Sequence, residues 1–240
     1  MLKASSMTNQ IPPILNLLQR EISQLQIQQL SDYVALLQQY NQKLNLISRK
    51  DIQNIWENHI YPSLLVNNFV DLPSGAAVVD LGSGGGLPGI PLKIIRPDLN
   101  LVLIDSSLKK TAFLRQVIYN LQIQSAAAMQ VRIHPREEVD LLHHQFDVVL
   151  ARAVAGFYEL WNLAKPLLKP PGFLLAWKGE KDLPELQAQS SNMEIDYQIL
   201  RIPELYWPYS VKLKQLCYIK IWSDVSASKK NMQQAPGRDE

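Results

Sequence analysis

The chain has 240 residues, of which 47% are hydrophobic and 19% charged, and its formal net charge is +2. This length accommodates one α/β domain of ordinary size with an appendage. The near-neutral balance argues against a broad basic surface, so a nucleic-acid partner would need a local patch. The single cysteine, Cys217, excludes an intramolecular disulfide or a cysteine-built zinc site and fits a reducing cytosol.

Targeting and metal signals are absent from the pattern of the sequence. There is no apolar run of the ~18 residues that a membrane span needs. The first residues carry one lysine and lack the apolar stretch of a secretory signal. His143 and His144 are adjacent and have no metal-ligand spacing. We therefore expect a cytoplasmic protein with no membrane association and no bound metal.

Residues 1–75 are predicted to form a helical subdomain. Apolar residues recur at helical spacing in two groups. Ser31 and Asp32 are predicted to cap the second helix. The first group is Ile14, Leu17, Leu18, Ile22 and Leu25, and the second is Leu30, Tyr33, Val34, Leu37 and Tyr40.

Between residues 76 and 223, apolar strands alternate with helices. Strands are predicted at 77–81, 100–105, 126–133, 146–153 and 173–179, with a final antiparallel pair within 193–202 and 213–222. This alternation predicts an α/β fold with a doubly wound, mostly parallel, seven-stranded Rossmann-like sheet and an N-terminal helical extension. Residues 224–240 are polar and are predicted to be a disordered tail.

A glycine-rich loop, VVDLGSGGGLPGIPLKI (78–94), follows the first strand of this region. Gly84–Gly89 matches G-x-G-x-x-G, the dinucleotide fingerprint, but a lone match is weak evidence. Asp80 stands at the tip of the strand, where a carboxylate would repel a pyrophosphate. S-adenosylmethionine carries an ammonium and a sulfonium and no phosphate, so the acid favours it. A nicotinamide dinucleotide remains the alternative cofactor.

Asp105 ends the next strand, where the ribose hydroxyls of a nucleoside would lie. A carboxylate that accepts both hydroxyls serves either cofactor. Asp105 therefore supports a bound nucleoside without choosing between them.

Four stretches resemble a known family in both order and spacing: VVDLGSGGGLPGIPLKIIRPD, LIDSSLKKTAFLRQV, FDVVLARAVA and WKG. The family is that of the bacterial 16S rRNA guanine-N7 methyltransferases, also called glucose-inhibited division protein B. The upstream YNQKLNLISRKDIQNIWENHI is similar to its N-terminal signature, and the resemblance runs from about Leu30 to Trp222. It implies the class I methyltransferase fold, S-adenosylmethionine as cofactor, and 16S rRNA or the small ribosomal subunit as partner.

The resemblance also implies roles for particular positions. Leu87 and the glycines lie in the cofactor loop, Arg136 and Glu137 fall where the family contacts adenine, and Arg152 matches an arginine at the end of the fourth strand. The family often has Asp-Ser where this chain has Pro62-Ser63, so that acid is missing here. The expected cofactor contacts are Asp80, Gly82, Gly84, Leu87, Asp105, Ser106, Ser107, Arg136, Glu137 and Arg152, and Arg152 is also the candidate catalytic residue.

The residues after the fourth strand agree with this chemistry. Methyl transfer from a sulfonium depends chiefly on alignment of the acceptor. Methyltransferases of exocyclic amines commonly carry N/D-P-P-Y/F/W at this place, but the chain has ARAV (151–154). Guanine nitrogen-7 loses no proton on methylation, so it needs no such base. A surface salt bridge is the alternative role for Arg152.

Other charged residues carry weaker hypotheses. Arg49 and Lys50 are candidates for RNA phosphate contacts, whereas His59 is interpreted as a packing residue. Lys178 ends the fifth strand, and its position favours a functional role and a structural role equally. Two other functions stay open: a methyltransferase for a small molecule or protein, and a non-catalytic cofactor-binding module that docks on rRNA.

Overall fold

The computed structural model describes residues 13–133, 142–193 and 195–222. The α-helices are α1 (Gln24–Leu44), α2 (Tyr61–Leu65), α3 (Gly89–Ile95), α4 (Leu108–Asn120), α5 (Phe157–Ala164) and α6 (Leu183–Met193). The strands are β1 (Ala77–Leu81), β2 (Asn100–Asp105), β3 (Ala126–Gln130), β4 (Phe146–Arg152), β5 (Leu168–Gly179), β6 (Tyr197–Arg201) and β7 (Leu216–Trp222). Arg136, Glu137 and the tail at 224–240 lie outside the described residues.

The described strands form one seven-stranded sheet in the order β3-β2-β1-β4-β5-β7-β6. Strands β1 to β5 pair in parallel, while β7 is antiparallel to both β5 and β6. The predicted doubly wound, mostly parallel sheet is confirmed, as is its final antiparallel pair. Strand β1 lies between β2 and β4, so the strand order reverses at its carboxyl end. Open α/β sheets bind ligands at such a crevice.

Helices cover both faces of the sheet, because each strand alternates its side chains between two apolar cores. Val78, Leu103 and Leu150 face the core that contains residues of α1 to α4. Val79 and Ile104 face the core that contains residues of α5 and α6. The α1 segment thus belongs to one packed unit with the sheet.

Helix α1 differs from the predicted pair of helices. It runs unbroken from Gln24, and its N-cap is Ser23, which forms a capping box with Gln26. The cap predicted at Ser31 and Asp32 is wrong. Ser31 lies inside the helix, and its hydroxyl donates to the Ile27 carbonyl one turn earlier at 2.9 Å.

None of the helices within the described ranges is long and apolar enough to cross a membrane.

Candidate functional site

Three charged side chains share one face of the sheet at the ends of neighbouring strands. Asp80 of β1 is in register with Leu103 of β2 and Leu150 of β4. Asp105 and Arg152 each lie two residues further along their strands, and side chains two apart point to the same face. The sheet therefore places Asp105 and Arg152 on either side of Asp80.

The glycine loop makes a tight turn at the end of β1. Gly82 has φ +69°, a left-handed conformation that favours glycine. A Cβ there would lie 3.1 Å from a methyl carbon of Val154, which follows β4. The loop is held by Ser83, whose N–H donates to the Ile104 carbonyl at 2.9 Å and whose hydroxyl donates to the Asp80 carbonyl at 2.7 Å. The loop backbone is thus fixed against both β1 and β2.

Asp80 is completely buried beneath this loop. Its Oδ2 accepts the Gly89 N–H at 2.9 Å, where helix α3 begins. A Cβ at Gly89 would lie only 2.7 Å from Oδ2, so this approach requires glycine. Oδ1 is buried with no hydrogen-bond partner among the described residues. Burial raises the pKa of Asp80 to about 7.

Asp105 connects the glycine loop to helix α4. One carboxylate oxygen accepts the Gly84 N–H at 2.9 Å, and the other accepts the Ser107 N–H at 2.8 Å. Ser107 caps α4, since its hydroxyl accepts the Lys110 N–H. Ser106 is exposed between them. The second lone pair of each Asp105 oxygen remains able to accept a hydrogen bond.

Helix α1 packs on the outer side of the glycine loop. The buried Tyr33 hydroxyl donates to the Gly85 carbonyl at 2.8 Å. A Cβ at Gly85 would lie 3.0 Å from a methyl carbon of Leu37 and 3.4 Å from the Cβ of Leu46. Leu87, two residues further along the loop, is also buried. The N-terminal segment therefore supports the loop directly.

Arg152 fastens a second part of that segment to the end of β4. Its Nη2 donates to the Asn58 carbonyl at 2.8 Å, and its Nη1 to the His59 carbonyl at 3.5 Å. Asn58 and His59 lie in a π-helical turn, Trp56–Ile60, that leads into α2. Burial lowers the pKa of Arg152 from its ordinary value. Arg152 therefore donates hydrogen bonds to backbone carbonyls, whereas the alternative role for it was a surface salt bridge.

His59 is part of a polar cluster beneath the π-helical turn. Its Nε2 lies 3.7 Å from Asp51 Oδ2. Burial lowers the pKa of His59 to about 3, so the imidazole is neutral at ordinary pH. Asp51 also accepts the Asn58 side-chain amide at 2.9 Å and pairs with Lys212. The packing interpretation of His59 agrees with this placement.

The turn after His59 is held from the sheet side as well. The Trp177 indole and the Tyr218 hydroxyl each donate to the Pro62 carbonyl at 2.9 Å. Lys178 donates to the Ala155 carbonyl, and its Nζ lies 4.8 Å from the centre of the Phe157 ring. The Pro62 carbonyl thus accepts two hydrogen bonds from the sheet side.

The contacts made by Tyr33, Asn58 and Lys212 were not predicted from the sequence. Tyr33 was identified only as part of an apolar helical stripe. Its phenol was the available signal, because a buried tyrosine hydroxyl needs a partner. The backbone carbonyls of Asn58 and His59 left no signal in the sequence at all.

No group of three or more His, Cys, Asp and Glu residues placed to hold a metal is found in the described part of the chain.

Comparison with solved structures defines the class of fold. A SAM-dependent methyltransferase from Aquifex aeolicus aligns over 70% of this chain and 92% of its own, with 12% identity and a TM-score of 0.54. The CurJ carbon methyltransferase aligns over 83% of this chain and 66% of its own, with 12% identity and a TM-score of 0.55. The fold is that of the class I S-adenosylmethionine-dependent methyltransferases.

Sequence comparison narrows the class to one family. The profile of the family described as GidB, rRNA small subunit methyltransferase G, matches residues 26–206. The ribosomal RNA small subunit methyltransferase G of Moorella thermoacetica is 35% identical over 170 residues, which are 71% of each chain. That of Chlorobium phaeobacteroides is 40% identical over 177 residues, 74% of this chain and 78% of its own. The chain belongs to the rRNA small subunit methyltransferase G family, and it is a methyltransferase.

The burial of Asp80 predicts a specific dependence of stability on pH. Its pKa is higher in the folded protein than in the unfolded chain, so folding favours the protonated carboxyl. We expect the free energy of unfolding, relative to an Asp80→Asn variant, to fall as pH rises from about 4 to about 7. The relative slope is at most about 1.4 kcal/mol per pH unit. Urea unfolding at a series of pH values measures it, and parallel pH profiles for the two proteins would contradict the burial argument.

Proposed function

We propose that this protein transfers the methyl group of S-adenosylmethionine to nitrogen-7 of a guanine in 16S rRNA of the small ribosomal subunit. The family membership and the names of the relatives support rRNA as the substrate. The observation that carries the proposal is the arrangement of Asp80, Asp105 and Arg152 around one glycine loop at the strand-order reversal. The comparisons give no support to a methyltransferase for a small molecule or protein.

The charges and hydrogen-bonding groups of the site fit this cofactor. The unpartnered Oδ1 of buried Asp80 favours a cationic ligand over a pyrophosphate. Asp105 retains acceptor capacity for ribose hydroxyls, and the exposed Gly82 leaves its backbone open to a ligand. We assign cofactor contacts to Asp80, Gly82, Gly84, Leu87, Asp105, Ser106, Ser107, Arg136, Glu137 and Arg152.

The chemistry of the acceptor explains why the site needs no general base or nucleophile. When bound, the cofactor supplies a methyl group that is already activated by its sulfonium. Guanine nitrogen-7 offers a lone pair and releases no proton, so the protein has to align the acceptor rather than deprotonate it. Cys217 is buried, and burial raises the pKa of its thiol to about 12. That thiol is unsuited to nucleophilic attack on a pyrimidine ring.

Arg152 contributes by positioning as well as by charge. Its guanidinium is directed to the carbonyls of Asn58 and His59, so it holds the π-helical turn over the end of β4. A lysine at this position would keep the charge but would lose the planar fork that reaches two carbonyls. We infer that Arg152 aligns the N-terminal segment with the transfer site.

These contacts suggest different roles for different parts of the chain. We assign residues 1–75 to a helical subdomain that supports the site and faces RNA, and residues 76–223 to the methyltransferase domain. Residues 224–240 are assigned no part in the chemistry. The place of action is the cytoplasm, where small ribosomal subunits are found.

The proposal is tested with small ribosomal subunits that lack N7-methylguanine. Purified protein and methyl-labelled S-adenosylmethionine are added, and the 16S rRNA is digested for nucleoside mass spectrometry. We expect about one labelled N7-methylguanosine per 16S rRNA. Cofactor binding without transfer to RNA would instead support a non-catalytic docking module, and label in protein or small molecules would support a different acceptor.

Asp105→Asn is expected to weaken binding of S-adenosylhomocysteine at least tenfold. The amide loses the charged acceptor for ribose and one of the two acceptors for the Gly84 and Ser107 N–H groups. Titration calorimetry measures the dissociation constant. The matched control is Asp147→Asn at the other end of the sheet, which also accepts a backbone N–H, that of Ala77 at 2.8 Å. Equal affinity in the two variants would remove Asp105 from the cofactor site.

Arg152→Lys is expected to lower kcat for RNA methylation at least tenfold, with little change in affinity for S-adenosylhomocysteine. The reason is the lost bridge to the Asn58 and His59 carbonyls, which leaves the π-helical turn misaligned. Steady-state kinetics on small subunits separate kcat from KM. Unchanged kcat, or a loss explained wholly by weaker cofactor binding, would contradict the positioning role.

A further inference from the structure

Two loops that carry basic side chains meet beside the site. One is the segment 48–60, which contains Arg49 and Lys50, and the other is the 3-10 turn Val211–Lys214. Lys212 Nζ lies 2.5 Å from Asp51 Oδ1 across the junction. Asp51 further accepts the Ser48 hydroxyl at 2.9 Å, which closes the first loop on itself. The two loops therefore form one continuous surface.

The positive charge of this surface is not cancelled locally. Arg49, Lys50 and Lys214 are exposed, and no carboxylate lies within 4.0 Å of their charged groups in the described residues. Asp51 is occupied by Lys212, and Glu57 is the other acid of the two loops. Four cations against two acids leave an excess of +2 on the two loops. The two loops therefore carry a local excess of positive charge.

An aromatic side chain borders the same surface. Lys214 Nζ lies 5.7 Å from the centre of the Trp207 ring, and Trp207 is only partly buried. Basic residues that alternate with aromatic rings are typical of sites for unpaired RNA, where phosphates are neutralised and bases stack.

The surface is coupled to the transfer site by short connections. Arg152 holds the carbonyls of Asn58 and His59 at the end of β4, and both residues belong to the first of the two loops. Leu46, two residues before that loop, packs on Gly85 of the glycine loop. RNA bound to the two loops would thus lie at the carboxyl edge of the sheet.

We propose that Arg49, Lys50, Lys212 and Lys214 form a docking patch for the phosphate backbone of unpaired rRNA that flanks the target guanine. This inference rests on the proposed function and assigns the RNA contact to particular residues. Nitrogen-7 lies in the deep, narrow major groove of A-form RNA, so the guanine must be in a loop or out of its stack. A patch that binds the neighbouring unpaired backbone fixes such a guanine without reading a duplex.

A second surface with basic side chains lies at the start of α4. Lys109 is exposed there, but the Lys110 Nζ lies 4.0 Å from Asp105 Oδ2. That pairing directs the second surface toward the assigned cofactor side, where part of its charge is neutralised. The docking patch has the larger uncancelled charge.

The test is charge reversal in Arg49→Glu/Lys214→Glu, compared with a matched double variant, Arg20→Glu/Lys165→Glu. All four side chains are exposed, and Lys165 lies in the turn that leads into the opposite end of β5. Binding to small ribosomal subunits is measured by filter retention in the presence of S-adenosylhomocysteine, at several salt concentrations. Methyl transfer is measured in parallel.

We expect the patch variant to bind subunits at least tenfold more weakly. The slope of the logarithm of its binding constant against the logarithm of salt concentration should be shallower by about 1 to 2. Its KM for methyl transfer should rise, with kcat little changed. Its affinity for S-adenosylhomocysteine and its melting temperature should match those of the control variant. The neutral variant Arg49→Gln/Lys214→Gln should show a smaller effect of the same sign. It also serves as the readout if the reversal disturbs folding.

Identical RNA binding by the patch variant and the control variant would overturn the docking patch. This outcome is distinguishable from failure of the proposed function. If wild-type protein bound subunits through the patch but transferred no methyl group, the binding data would uphold the patch and the transfer data would reject the enzyme. If the patch variant and the control variant both transferred methyl groups as well as the wild type, the transfer data would uphold the enzyme and reject the patch.

Discussion

The hydrogen bond from the Gly89 N–H to the buried Asp80 carboxylate is the interaction on which the site depends. It fixes the start of α3 against the end of β1, so the glycine loop between them has a set length and path. A Cβ at position 89 would lie 2.7 Å from Asp80 Oδ2, which explains why this position requires glycine. The bond satisfies only one oxygen, and the buried second oxygen gives the loop its preference for a positively charged ligand.

The N-terminal segment completes the site rather than merely preceding it. Tyr33 holds the glycine loop through the Gly85 carbonyl, and Arg152 holds the π-helical turn at Asn58 and His59. Tyr33 belongs to the N-terminal segment and contacts the glycine loop, whereas Arg152 belongs to β4 and contacts the N-terminal segment. The N-terminal segment and the ends of β1 and β4 are thereby held in one arrangement.

Much of the fold was predictable because its signals are local. Strand and helix alternation and the glycine loop depend on short-range sequence patterns, and the structure agrees with both. The start of α1 was mispredicted because Ser31 and Asp32 resemble a cap by composition. The capping box at Ser23 and Gln26 and the apolar contacts of the helix outweigh that local preference.

The sequence by itself determined the class of fold, the position of the glycine loop and the acids at the ends of β1 and β2, since strand periodicity sets which residues share a face. Tertiary structure alone decided the partners of Arg152, the burial of Asp80 and the meeting of Asp51 with Lys212. These depend on backbone carbonyls and on residues up to 161 positions apart, which leave no pattern in the sequence. Long-range contacts of this kind form only when the chain packs into its tertiary structure.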